Sequence, residues 1–282
     1  MIQLDDDKRW VRQFSSLMEL EAWLRVTPRQ WGQHTSLNER PTRDWDLGVG
    51  YGGALKLASE GWEEGVRNLH ALSALVPNQT IATREYSMAG DYPDVPRYIS
   101  GDPFNMIKRG KQRAPKPSMT IAVNTRISCA ITSQQSANFG AAMVALVDRL
   151  ESRGVRVELL GLLATNVTRR RMCLSWTIKR AEDHLDLSAV AFSYAHPAMF
   201  RRLGFAAMER MPKATEDYGY GIDGGVSRSD FVDVPEGALL INGVNHEPAR
   251  CKTMPDALAF AKAQINAAAG EDVVELEDWD SE

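Results

Sequence analysis

Cysteine is scarce and scattered: Cys129, Cys173 and Cys251 are the only three in 282 residues, and no CxxC pair occurs. An odd, unclustered set excludes a disulfide framework and a cysteine zinc site, and it suits reduced thiols in a cytoplasm. No apolar run approaches the roughly 20 residues of a membrane span. The opening MIQLDDDKRW is acidic and lacks the apolar centre of a secretory signal. There is no excess of positive charge either. Lys plus Arg number 33 against 37 Asp plus Glu, a formal charge of −4, which excludes wholesale coating of nucleic acid but leaves room for a local basic patch. Metal motifs of the HExxH kind and a Gly-x-Ser-x-Gly nucleophile elbow are missing. GVGYGG (Gly48–Gly53) matches neither dinucleotide nor P-loop spacing and follows no strand, so a helix-entry turn is the better reading than a phosphate cradle.

What is present is an α/β pattern. Met119–Val123 (MTIAV) is a short apolar run between polar residues, which fits a buried strand. A polar stretch, Asn124–Ser136, separates it from a helix over Ala137–Ser152, with Phe139, Met143, Leu146, Val147 and Leu150 on one face. Gly154 stops that helix, and Val155–Ala164 is the next strand, giving a right-handed parallel crossover. Arg171–Lys179 follows after a six-residue junction, so it is expected as an antiparallel neighbour at the sheet edge. LDLSAVAFSY is expected as a fourth strand, followed by a helix from about Pro197 to Met211. Its buried set is Met199, Leu203, Ala206 or Ala207, and Met211. Gly237–Val244 is a fifth strand and Met254–Ala269 a last helix.

The first part reads as mainly helical. Arg9–Val26 places Trp10, Phe14, Leu17, Leu20 or Met18, and Leu24 near helical spacing, and two short helices follow over Tyr51–Ser59 and Trp62–Leu75. From Asn78 to Pro117 regular structure is hard to find. A connection this long is often functional, or an arm that reaches a partner. Its tail, Lys108–Lys116, carries Lys108, Arg109, Lys111, Arg113 and Lys116, five cations in nine residues, which suits a solvated linker or a phosphate-contacting segment. Arg169, Arg170 and Arg171 form a second basic cluster at the expected hairpin tip, where cations also protect a strand edge from aggregation. The chain thus divides into 1–118, a helical part with its arm over 78–117, an α/β part over 119–270, and an acidic tail over 271–282.

The order of elements from Met119 onward resembles the von Willebrand factor A fold, an open sheet with one antiparallel edge strand. In that family the first strand ends in an Asp-x-Ser-x-Ser metal motif. Here those positions hold Asn124, Arg126 and Ser128, and the position after the fourth strand holds His196. An amide and an arginine in place of an aspartate and a serine make a poor shell for Mg²⁺, so the resemblance implies a fold without its metal. Three further stretches, LKLASEGWEEG (Leu55–Gly65), Ile127–Leu159 and Ala191–Arg210, together with the later Gly219–Gly221, resemble a family of tailed-bacteriophage proteins without an established activity. That resemblance implies a phage gene product in the host cytoplasm.

In open α/β sheets, ligands bind beyond the carboxyl ends of parallel strands. There the expected sheet gathers Asn124, Arg126, Ser128, Ser133, Gln134 and His196, with Asn242, Asn245 and His246 as further members. No carboxylate is placed to orient either imidazole for acid–base work, and His196 reads better as a cap of the following helix or a hydrogen-bond partner of loop backbone. The expected function is non-catalytic binding of a protein partner, viral or host, through the strand-end loops and the arm, with no cofactor. Two alternatives are nucleic-acid association through the basic segments, and anion binding or hydrolysis at Arg126 and His196.

Overall fold

A computed structural model describes residues 3–4, 9–30, 43–67, 86–88, 92–93, 95–107, 118–128, 130–152, 154–167, 170–211, 226–227, 230–231, 234–244 and 248–269. The chain begins with a short strand β1 (Gln3–Leu4), antiparallel to β2 (Arg9–Phe14). The expected helix over Arg9–Val26 is therefore strand over its first third. Trp10 and Phe14 are four residues apart, and that spacing puts both on one face of a helix or of a strand. The break is chemical. Ser16 accepts the Glu19 N–H at 3.1 Å, and the Glu19 carboxylate reaches back to the Ser15 amide at 2.6 Å, a capping arrangement that starts a helix. That helix, α1 (Leu17–Val26), buries Leu17, Leu20, Trp23 and Leu24.

A short helix α2 (Arg43–Asp46) and α3 (Gly50–Glu60) follow, and residues 63–67 are helical. The arm region holds three two-residue strands, β3 (Tyr86–Ser87), β4 (Tyr92–Pro93) and β5 (Met106–Ile107), paired in the order β3-β5-β4, and a short helix α4 (Val95–Ile99). Regular structure is thus present where none was expected; strands this short carry no periodic signal.

The α/β part opens with β6 (Ser118–Asn124), α5 (Ser133–Ser152) and β7 (Arg156–Val167), and β6 and β7 are parallel as their crossover requires. β8 (Arg170–Lys179) returns antiparallel to β7. It is not an edge, because β2 pairs parallel to its other side. The stretch expected as a fourth strand is helical instead. Asp186 caps α6 (Leu187–Val190) by accepting from the Ser188 and Ala189 amides. The chain then runs through a π turn (Ala191–Ala195), a second π turn (Met199–Gly204) and α7 (Phe205–Arg210). A buried apolar run of this length suits strand or helix alike, and the Asp186 cap decides it. β9 (Leu239–Ile241) joins β6 in parallel, and α8 (Met254–Ala269) closes the described chain. The sheet order is β1-β2-β8-β7-β6-β9, an α/β open sheet that the N-terminal residues help to build.

One buried cluster joins Trp10, Leu24, Leu55 and Trp62 of the first part to Ile121, Phe139, Phe192 and Phe260 of the rest. The opposite sheet face, with Val11, Ala122, Leu162 and Cys173, packs under Phe231, Val234 and Ala238. Arg171 fastens that cover. It makes two contacts to Asp230, at 2.5 and 2.7 Å, and one to Asn166 at 2.9 Å. Gly140 marks the closest approach of α5 to the first π turn: a Cβ there would lie 2.4 Å from the Ala195 Cβ and 3.0 Å from its Cα. Gly140→Ala is expected to destabilise the fold by about 1–3 kcal/mol, since overpacking against backbone outweighs the roughly 1 kcal/mol gained in helix propensity. A urea unfolding midpoint at or above the wild-type value would contradict that contact. No helix among the described residues is long and apolar enough to cross a membrane.

Candidate functional site

The polar stretch after β6 is bonded largely to its own chain. The Asn124 side chain is 2% exposed, and its Oδ1 accepts the Arg126 amide at 3.3 Å. Its Nδ2 is buried with no hydrogen-bond partner among the described residues. Thr125 prolongs the ladder, donating its amide to the Leu162 carbonyl at 2.8 Å. The Arg126 guanidinium donates to Thr165 Oγ1 and lies 5.7 Å from the centre of the Phe200 ring. Ser128 Oγ accepts the Ala130 amide at 3.3 Å. Thr132 and Gln135 cap α5 reciprocally, amide to side chain, at 2.9 and 3.2 Å. Asn138 ties the same helix to the carbonyls of Cys251 and Lys252, both at 3.0 Å. Asn242 accepts the Val226 amide at 2.8 Å.

The densest polar cluster lies beside this loop and was not legible in the motifs. Arg201 and Arg202, on the second π turn, are each 1% exposed. Arg201 donates to the carbonyls of Trp45 (2.9 Å), Ser128 (2.5 Å) and Ile131 (2.9 Å), with its guanidinium 4.6 Å from the Trp45 ring centre. Arg202 grips Asp46, Nε to Oδ2 at 2.7 Å and Nη2 to Oδ2 at 2.5 Å. Asp46 is fully buried and also accepts the amides of Gly48 (3.0 Å) and Gly50 (3.2 Å) at the start of α3. The glycines of GVGYGG do cradle an anion, but the anion is the protein's own carboxylate. Gly48 and Gly50 have φ of +78° and +69°, which turns their N–H groups inward. The sequence signal was a pair of arginines inside an otherwise apolar helix, since buried arginines require built-in acceptors.

His196 sits between the two π turns, 3% exposed. Its Nδ1 accepts the Ala198 amide at 3.0 Å, so the proton resides on Nε2, which has no hydrogen-bond partner among the described residues. The imidazole meets Trp62 edge to face at 4.5 Å between ring centres and Phe192 at 5.5 Å. Burial pushes its pKa down to about 4, against a smaller upward pull from the Asp46 carboxylate. It is a neutral cap near pH 7, which is the wrong state for binding an anion by charge. Burial likewise raises the Cys173 and Cys251 thiols to about 12, which makes them inert.

A second buried set closes the far end of the helical segment. Arg210 donates to the carbonyls of Thr27 (2.8 Å), Ala206 (2.8 Å) and Leu24 (2.7 Å), while Glu209 holds Arg29 at 3.0 Å. A small cavity of about 10 Å³, room for about one water, lies between the sheet and the second π turn, lined by Thr125, Leu163, Trp176 and Phe200 among others. Among the described residues no group of three or more His, Cys, Asp or Glu is arranged to hold a metal ion.

The structure thus brings together Asn124, Arg126 and Ser128 on one loop, with Arg201 binding the Ser128 carbonyl. Arg171 is committed to Asp230. Arg169, Asn245, His246 and the basic run Lys108, Arg109, Lys111 and Arg113 lie outside the described residues, as does the side chain of Arg170.

Exposed large apolar side chains occur elsewhere: Met18 and Val26 on α1, and four on the arm. Met88 is 70% exposed, Tyr98 67%, Ile99 78% and Phe104 50%. Asp102 shapes this turn. It pairs with Arg97 at 3.2 Å and accepts the Phe104 amide at 2.9 Å, while its carbonyl accepts from Asn105 at 2.6 Å. Ser87 is paired with Met106, where the ladder of β3 and β5 ends.

A family model described as a domain of unknown function (DUF7192) matches residues 3–260. No curated protein and no solved structure matches the chain.

Proposed function

We propose that this chain, which belongs to the DUF7192 family, is a phage-encoded protein of the host cytoplasm with a non-catalytic binding role, and that its arm over 78–117 contacts a macromolecular partner. The observation that carries this reading is the group of Met88, Tyr98, Ile99 and Phe104, all at least half exposed on one short stretch. Aromatic residues and methionine are the side chains enriched at the cores of protein interfaces. Three of the four are of these types, and leaving all four apolar side chains in water costs solvation that a partner relieves. The strand-end face supports the same reading from the other side. Asn124, Arg126 and Ser128 spend polar groups on their own backbone and on Thr165, and His196 is sealed among rings.

The test is capture from host and virion lysates by the immobilised full chain, wild type against Tyr98→Ala/Phe104→Ala. Both positions are exposed, so folding stability is expected to stay within about 0.5 kcal/mol. A partner retained by wild type and weakened at least about 30-fold in the double variant is the expected result, since each truncated hot spot costs about 2 kcal/mol. Equal retention by both proteins, or by neither, would overturn the reading.

A further inference from the structure

Asn242-Gly243 is the one Asn-Gly step in the chain. The side-chain amide of asparagine is a carbonyl electrophile, and the next backbone nitrogen is a nucleophile held on the same chain, so their reaction is intramolecular. Glycine in second place puts no side chain in the way. The fold adds three features. Val226 donates its amide to Asn242 Oδ1 at 2.8 Å. Negative charge develops on that oxygen when a nucleophile adds to Cγ, so the donor acts as in an oxyanion hole. Gly243 follows β9 by two residues with φ of +32°, and among the described residues its amide donates to no acceptor. Asn242 is partly exposed, which admits the water that a second step consumes.

We propose that Asn242 is a site of spontaneous deamidation in the folded protein. The Gly243 nitrogen forms a bond to Asn242 Cγ and gives up its proton. The Cγ–Nδ2 bond breaks, and the side-chain nitrogen leaves with that proton as ammonia. The five-membered imide then adds one water. Opening at Cγ leaves aspartate. Opening at the Asn242 main-chain carbonyl leaves isoaspartate, whose backbone runs through the side chain and is one carbon longer. Nothing is oxidised or reduced, and water is the sole co-reactant. The two products differ in fit. Aspartate keeps an acceptor for the Val226 amide. A Cβ on Gly243 would lie 2.2 Å from the Asn124 carbonyl oxygen, so the chain at 243 has no room against the end of β6. The extra carbon of isoaspartate drives Gly243 against that carbonyl, and β9, the outer strand beside β6, is the element that gives way. The fraction of altered chains therefore rises with the age of the protein.

Peptide mapping of the full chain after incubation at neutral pH in heavy-oxygen water tests this, since each ring opening leaves one heavy oxygen at residue 242. Folded wild type, urea-unfolded wild type, Asn242→Gln and Val226→Pro are compared. Label at residue 242 in the folded chain, gained at least as fast as in the unfolded one, is expected. Asn242→Gln should gain none over the same period, because its longer side chain closes a six-membered ring far more slowly. Val226→Pro lacks the N–H donor and, once its fold is confirmed by urea denaturation, should slow the labelling about tenfold or more. The isoaspartate fraction should lose hydrogen-exchange protection over Leu239–Ile241. A folded rate several-fold below the unfolded one would overturn the proposal, because the fold would then protect Asn242. So would an undiminished rate in a folded Val226→Pro. If that variant does not fold, the comparison of folded with unfolded wild type decides alone.

Discussion

Replacing Asp46 by alanine is expected to lower the unfolding free energy by about 3–5 kcal/mol, because it strands a buried guanidinium. Arg202 is 1% exposed and grips the Asp46 carboxylate with two nitrogens. The same substitution also removes the acceptor of the Gly48 and Gly50 amides, leaving the first turn of α3 without its cap. Loss of a cap alone costs about 1 kcal/mol, so the desolvated charge dominates. The double variant Asp46→Leu/Arg202→Met is expected to be less damaged than Asp46→Ala, since an apolar pair of similar volume carries no desolvation cost. Urea denaturation of the three proteins checks this. A single variant within about 1 kcal/mol of wild type would mean that the pair contributes no more than a surface bridge.

Acid is expected to unfold the protein through His196. The folded-state pKa is depressed to about 4 from an ordinary 6.5, so the unfolded chain binds this proton first as pH falls. Stability from the neutral imidazole is fully present above pH 6.5 and is lost progressively down to about 4. A difference of this size amounts to roughly 3 kcal/mol across the window. His196→Asn keeps an acceptor for the Ala198 amide and cannot titrate. It should be less stable than wild type at pH 7, having lost the contacts to Trp62 and Phe192, but with a flatter stability curve between pH 4 and 6.5. Equal slopes for the two proteins would assign the acid transition to other groups.

How much was legible in the sequence depended on whether one physical signal acted alone. Met254–Ala269 was read to the residue, because alanine-rich helical periodicity had no rival there. The β6–α5–β7–β8 order was legible for the same reason: Gly154 ends the crossover helix, and the turn between the last two strands is shorter than the six residues expected, since both strands extend into 165–170. Arg9–Phe14 was misread because Trp10 and Phe14 satisfy both periods. The helical run from Leu187 was misread because a short, largely apolar run is too brief for its period to separate strand from helix. The site was harder still. Asn124, Arg126 and Ser128 follow β6 as expected, but His196, expected just after a fourth strand, lies between two π turns. Asn124, Ser128 and His196 accept amides only two residues on, whereas the buried arginines find their acceptors far away in sequence. Arg201 reaches back 156 residues to the Trp45 carbonyl, and Arg202 as far to Asp46. Such pairings are set by tertiary structure, and only the oddity of two arginines in an apolar helix announced them.

The most direct measurement compares two variants of the full chain in the same capture experiment: Tyr98→Ala/Phe104→Ala on the arm and Arg126→Ala at the strand ends. Loss of the partner in the arm variant, with retention by Arg126→Ala, is the predicted result. Loss with Arg126→Ala and retention by the arm variant would contradict it and return function to the carboxyl ends of the strands.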